Sequence, residues 1–367
     1  MNRIQLPYGD SALEVSLPKG SITMLMERES TVPEASAEAL VNRALEKPYG
    51  VARLSRLVHS GQKVAIIVSD VTRPCPTSSL LPPLLSELAQ AGVDERDMRI
   101  VFALGSHRCL KPEEQERLVG RAVLTRFCCG DASGEPFVEL GCTRRGTPVQ
   151  VFGPVAEADW RVYVGNIEYH YFAGYTGGAK ALLPGVTSVE TITANHSWMV
   201  HDSALAGRIE GNPVREDIEE GASFVGPSFL LNVVLDGHYR VVEAVAGDAT
   251  LAHRQGCRKV DELYRAPIAD RSDIVLASTG GWPKDINLYK AQRRWRTRPA
   301  RFEMMAPLSY WLSRLRLPRS FAEGYAFSSS RRSMHKPCRR WGSCPAVQPR
   351  KRWRSLKMKW GIQLPWL

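Results

Sequence analysis

The sequence predicts an α/β fold on two observations. Short apolar runs rich in Val and Ile recur along residues 1–292, and the segments between them carry turn residues and helix-periodic patterns. A chain of 367 residues, 44% hydrophobic and 24% charged, has the length for two ordinary domains and the composition for a sizeable core.

In chain order the expected strands are KVAIIV (63–68), MRIVFA (98–103), RVYVG (161–165), FLLNVVLD (229–236) and DIVLAS (273–278). Helices are expected over SSLLPPLLSELAQAG (78–92) and KPEEQERLVG (111–120). A third starts where Asn212 and Pro213 supply an N-cap and a first-turn proline for REDIEEGASF. The expected architecture is a mixed α/β N-terminal domain with Rossmann-like layers over residues 1–268. The start of a second α/β domain follows over 269–292, truncated or frameshifted, and then a basic tail over 293–367.

The formal charge of +11 would suggest an anionic partner, but its distribution does not. Residues 293–367 hold 19 of the 49 Lys and Arg against two acids, Glu303 and Glu323, a net of +17 that leaves residues 1–292 at −6. The tail also holds six of the nine tryptophans and no aspartate. No apolar run has the roughly 18 residues of a membrane span, and MNRIQLPYGDSALEV lacks an apolar signal core, so a cytoplasmic protein with no membrane partner is expected. The eight cysteines show no CxxC pair and read as free thiols.

Polar residues cluster where expected strands run into loops, the place where parallel sheets present their chemistry. Asp70, Thr72 and Arg73 in SDVTRPCP offer an acceptor, a hydroxyl and a bidentate donor for a carboxylate or phosphate; an aspartate-stabilised turn with a surface arginine fits the same residues. His107 in LGSHRC suits proton exchange near neutral pH, and equally a solvated loop. In NIEYHYFAGYTGGAKALLPG, Gly174, Gly177 and Gly178 free the backbone for close approach, and Lys180 follows as a phosphate-facing charge or an amine nucleophile; a plain glycine-rich turn is the simpler alternative. The GxxxxGK[ST] phosphate loop is absent. His170 lies ten residues before Lys180 and His196, in TANHS, sixteen after. His196 and His201 are five apart with no acid between them, so no zinc or iron motif is legible. His59, His238, His253 and His335 read as structural or surface groups.

DVTRP, LGSHR, HYFAGYTGGAKALLPG, ANHS and GGWPKDINLY, all in this order, make the chain similar to the nickel-pincer-nucleotide-dependent lactate racemase family of 2-hydroxy-acid racemases and epimerases, over most of residues 1–292. The resemblance implies an isomerase using a nickel-bound pyridinium bisthiocarboxylate mononucleotide, and proteins that make and load it. Lys180 matches the residue that tethers this cofactor and His196 the protein-derived nickel ligand; His107 and His170 match the acid/base pair. Asp70, Thr72, Gly177 and Gly178 would line the nucleotide, and Arg73, Tyr289 and Lys290 would face a small 2-hydroxy acid. In the mechanism the resemblance implies, hydride would move from substrate to cofactor and back to the other face.

The family pattern breaks after Gln292, where RRWRTRPARF replaces the expected helix and Arg293 stands at a substrate-side lysine position. One nucleotide lost at that codon would turn a helix–turn–strand peptide into this tail, and the missing cleft wall would impair activity. Two rival readings are a zinc-dependent hydrolase using His107, His170 and His196, and nucleic-acid binding through the Arg/Trp-rich tail. The second is disfavoured by the lack of a recognition motif.

Overall fold

The computed structural model describes residues 2–17, 33–133, 136–265 and Ser278. The chain divides into two compact units, Met26–Pro267, and Met1–Leu25 with Ile268–Leu367. In the latter, β1 (Asn2–Tyr8) and β2 (Ser11–Leu17) form an antiparallel hairpin with Asn2 opposite Leu17, turning through Gly9 at φ 54°. The hairpin is thus grouped apart from the body, where the sequence reading ran the first domain from residue 1. The strand expected over 273–278, apart from Ser278, lies outside the described residues, as do Tyr289, Lys290 and the tail.

The Met26–Pro267 unit begins with α1 (Ala37–Glu46), capped by the Ser36 hydroxyl accepting from Ala39 N at 3.2 Å, and a short α2 (Leu54–Leu57). There follow β3 (Val64–Ser69), α3 (Thr77–Gln90), β4 (Met98–Ala103), α4 (Pro112–Val119), α5 (Arg121–Arg126) and β5 (Cys128–Gly130). A hairpin of β6 (Phe137–Cys142) and β7 (Pro148–Phe152) and a short α6 (Gly153–Ala156) lead into β8 (Trp160–Asn166). Two small strands, β9 (Tyr169–His170) and β10 (Gly174–Tyr175), precede α7 (Val189–Ser197), α8 (Pro213–Ser223), β11 (Ser228–Leu235), β12 (Val241–Asp248) and α9 (Leu251–Tyr264).

Six strands form one sheet in the order β12-β11-β8-β3-β4-β5, parallel throughout except for the β11–β12 pair. A parallel sheet covered on both faces needs strands that are apolar at every position rather than alternately. VAIIV of β3 meets that demand, buried at all five residues. Val64, Ile66 and Val68 pack with Leu40, Leu80, Leu84 and Leu118 on the side of α1, α3 and α4, whereas Ala65 and Ile67 pack with Val149, Val151, Ala252 and Val260 on the side of β7 and α9. The molecule is therefore layered as the sequence predicts. Two strands of the sheet that the sequence reading passed over have interrupted or short apolar runs, β5 with three residues and β12 with Glu243 inside it; it also passed over α1, α7, α9 and the β6–β7 hairpin, whose β6 is exposed or half-buried along its length.

Asn212 caps α8 as expected, its Oδ1 accepting from Val214 N and Arg215 N at 3.1 and 3.2 Å. The six described cysteines are free. Among the described residues no helix is long and apolar enough to cross a membrane.

Candidate active site

The five parallel strands stand in the order third, second, first, fourth, fifth along the chain, so the direction of connection reverses between β3 and β8. Chain segments leaving the carboxyl ends of those neighbours pass to opposite faces of the sheet and open a crevice between them. Asp70 is the first residue past β3, His107 follows β4, and His170 lies just past β8.

Asp70 is buried at 3% exposure, its Oδ1 accepting from Thr72 N at 3.2 Å and Thr72 Oγ1 at 2.8 Å, and its Oδ2 accepting from His107 Nδ1 at 2.5 Å. Burial by itself would raise the carboxyl's pKa; the His107 and Thr72 hydrogen bonds, with the charges of His107 and Arg73, outweigh it and hold Asp70 below the usual carboxylate range. An ionised Asp70 accepts the Nδ1–H, so a His107 ring that carries a single proton carries it on Nδ1 and leaves the Nε2 lone pair free, oriented by a buried carboxylate. Asp70 and Thr72, expected along the nucleotide, are thus engaged with each other and with His107. Arg73 stands near Glu168, Nη1 to Oε1 3.9 Å, too long for a hydrogen bond.

The segment after β8 turns back on itself, with His170 opposite Gly174. His170 Nδ1 accepts from Ala173 N at 3.2 Å, which puts the proton of the neutral ring on Nε2. His107 and His170 therefore hold opposite protonation states at the same ring atom.

Phe172 is the hub of the remaining groups. Its ring centre lies 4.5 Å from that of His170, 5.0 Å from that of His196 and 5.6 Å from Lys180 Nζ, a cation over a ring face. Burial, aided by the Lys180 charge, pushes the His196 imidazole down to about 4, so it is neutral at pH 7 and competent as a metal ligand. The hub is held from α8: Asn212 Nδ2 donates to Phe172 O at 2.9 Å, and the buried Arg215 donates from Nε to Ala173 O at 3.1 Å and from Nη2 to Tyr175 O.

Gly177 and Gly178 adopt φ 71° and 62°, and a Cβ on them would lie 2.4 Å from Asn232 Oδ1 and 2.8 Å from the His253 ring. Close approach of the backbone is what these glycines permit, and here it is to the protein itself. Asn232, a polar residue inside β11, accepts from Gly178 N at 2.9 Å, and His253 Nε2 lies 2.9 Å from Thr176 O. His253 is structural, as the sequence reading had it; His59, His201 and His238 are exposed.

Among the described residues no group of three or more His, Cys, Asp and Glu side chains is arranged to hold a metal ion, which disfavours a zinc site of His107, His170 and His196. The sequence reading also missed Asn195, Asn212 as a loop holder, Arg215, Asp217 and Asn232. The Asn212–Pro213 signal marked the helix start, but only the fold shows what that helix grips.

The lactate racemase N-terminal domain description matches residues 8–207. The lactate racemase of Thermoanaerobacterium thermosaccharolyticum is 36% identical over 298 residues, covering 79% of this chain and 70% of its own length. That of Lactiplantibacillus plantarum is 33% identical over 304 residues, with the same coverage of 79% and 70%. The solved lactate racemase apoprotein from T. thermosaccharolyticum matches with a TM-score of 0.71 at 35% identity, covering 79% of this chain and 69% of that one. A protein from Thermotoga maritima, at 22% identity and a TM-score of 0.53 over 62% and 59% of the two chains, shares the fold. Sequence likeness and fold likeness extend over the same body that holds the crevice and its histidines, and the chain belongs to the lactate racemase family.

Proposed function

We propose that the chain is a racemase or epimerase of a 2-hydroxy acid, lactate or a close relative, in which His107 and His170 move the hydroxyl proton while Lys180 and His196 hold a nickel-pincer nucleotide. The observation that carries the reading is the meeting of Lys180 and His196 at the Phe172 ring, with the imidazole neutral. An amine for a covalent tether beside one neutral nitrogen ligand fits a nickel held mostly by an organic ligand, and a single histidine does not fit a protein-built zinc site. The names of the relatives supply the substrate class.

When bound, the nucleotide supplies a hydride acceptor for the hydrogen on the substrate's α-carbon. Everything else falls to the chain. Arg73 pairs with the substrate carboxylate, drawn from its long contact with Glu168. His107, unprotonated at Nε2, takes the hydroxyl proton of one enantiomer and becomes an imidazolium beside Asp70; His170, as an imidazolium that has given up its Nδ1 contact with Ala173 N, returns a proton to the product oxygen and is left as a neutral ring. In the reverse direction the two exchange roles. Gly177 and Gly178 contribute backbone to the nucleotide's surroundings, and Tyr289 and Lys290 belong on the substrate side.

Expression of the full chain with cofactor-making proteins, followed by intact mass and metal analysis, tests this without relying on turnover. A nucleotide-sized adduct lost in Lys180→Ala, with stoichiometric nickel lost in His196→Ala, is expected. Stoichiometric zinc and no adduct would overturn it. We also propose that residues 293–367 are read out of frame and that turnover is impaired for want of the segment they replace; an intact gene around codon 292 on resequencing would refute this.

A further inference from the structure

Asp217 lies in α8 with no exposed surface, and its carboxylate receives three hydrogen bonds: from Thr143 Oγ1 at 2.5 Å, Thr147 Oγ1 at 2.8 Å and Asn195 Nδ2 at 2.7 Å. Asn195 is also fully buried, and its Nδ2 donates a second time, to Val214 O at 3.2 Å. With both amide hydrogens committed to acceptors, the orientation of the Asn195 amide is settled, and its oxygen faces the other way. There it lies 3.1 Å from His196 Nδ1. An amide oxygen has no proton to give, so the hydrogen in this contact belongs to the imidazole. Nδ1 is then the protonated nitrogen of neutral His196, and Nε2 keeps its lone pair.

We infer that Asp217 is a positioning residue: acting through Asn195, it fixes His196 as the Nδ1–H tautomer and so presents a bare Nε2 to the metal. Free histidine prefers the opposite tautomer, which would turn an N–H toward the ligand position. Outer partners of this kind set the tautomer and ring orientation of metal-binding histidines, and their loss typically costs about 10–100-fold in metal affinity. The two threonines hold the carboxylate from the β6–β7 turn, so three separate segments converge to set one proton. The inference deepens the proposed function and rests on His196 being the metal ligand.

The test is long-range ¹⁵N NMR of the histidine rings in the full-length apoprotein at pH 7, followed by nickel retention after cofactor loading. Wild type is expected to show His196 as Nδ1–H. Asn195→Ala, which removes the acceptor, and Asp217→Asn, which frees the amide to turn over, are each expected to shift the tautomer ratio toward Nε2–H by about tenfold, the scale of one net hydrogen bond. Both should lose nickel more readily than wild type. Thr147→Val removes another donor from the same buried carboxylate and loosens the region comparably, yet should leave the tautomer unchanged. If Asp217→Asn does not fold, Asn195→Ala decides. An Nε2–H ring in wild type, an unchanged ratio in Asn195→Ala, or an equal shift in Thr147→Val overturns the inference. The expected tautomers in a wild-type chain that takes up no nickel would support the relay while overturning the reading of His196 as a ligand.

Discussion

Asp70 and His107 are thirty-seven positions apart in the chain, yet the carboxylate oxygen of one lies 2.5 Å from the Nδ1 of the other. The aspartate is buried and the histidine ring is 42% exposed, so a fixed anion sits behind a base that faces solvent. Asp70→Asn keeps the shape but removes the anion, and its amide can donate to Nδ1 and leave the proton on Nε2. In a loaded, active protein the variant is expected to lower kcat by roughly 100- to 10,000-fold with little change in KM, the scale seen when a buried carboxylate behind a catalytic histidine is made neutral. A drop of less than about fivefold would remove Asp70 from the machinery.

The same carboxyl gives stability a pH dependence. Its pKa in the fold is below the ordinary 3.8, so its contribution is fully present above that value and is lost as pH falls through the lower folded value. Denaturant unfolding of wild type and Asp70→Asn between pH 7 and 3 should show the stability difference shrinking at the acid end.

His253 adds a second loss on acidification, in the same direction but setting in at higher pH. Burial, together with the Arg215 charge, keeps it neutral well below 6.5, so the unfolded chain takes up a proton that the folded one refuses. Stability from this residue is intact above about pH 6.5 and declines as the solution is acidified below it. A folded-state ¹⁵N shift of His253 that titrates near 6.5 would refute the assignment.

Arg215→Met tests the grip of α8 on the site. Methionine fills part of the volume but removes the side-chain donor from both carbonyls; Ala173 O keeps its bond from Tyr175 N, whereas Tyr175 O loses its Arg215 partner, at a cost of about 1–3 kcal/mol. Calorimetry should show the lost stability, and the His170 ring resonances should shift although that ring is not the one altered.

Gly178→Ala places a Cβ 2.8 Å from the His253 ring at a backbone angle that L-residues disfavour. A loss of about 2 kcal/mol or more is expected, against the few tenths of a surface change. Wild-type stability in that variant would mean that the 177–178 turn is not packed as described.

Four strands of the sheet were legible because a doubly covered sheet writes itself as unbroken apolar runs, as in VAIIV and MRIVFA. The β6–β7 hairpin was not, because one layer of cover leaves FVELGC half polar. At the site, His107, His170, Lys180 and His196 stood out as reactive types in loop settings. Their partners did not: Asp217 lies in an ordinary helical stretch, REDIEEG, and nothing local marks it as the acceptor for Asn195. Asp70 was visible as a polar residue at a strand end, but its commitment to His107 is a fact of the strand order, which brings β3 and β4 side by side.

One short helix carries Asn212, Arg215 and Asp217, and through them it mounts both the loop of His170 and the ring of His196. The proton-transfer group and the metal-binding group therefore share a single mechanical support. Its outward side bears Glu216 and Glu220, paired with Arg145 and Arg144. Tilting that helix by changing those surface pairs would displace both groups in step, so defects in proton transfer and in metal retention should rise together in variants that touch neither histidine.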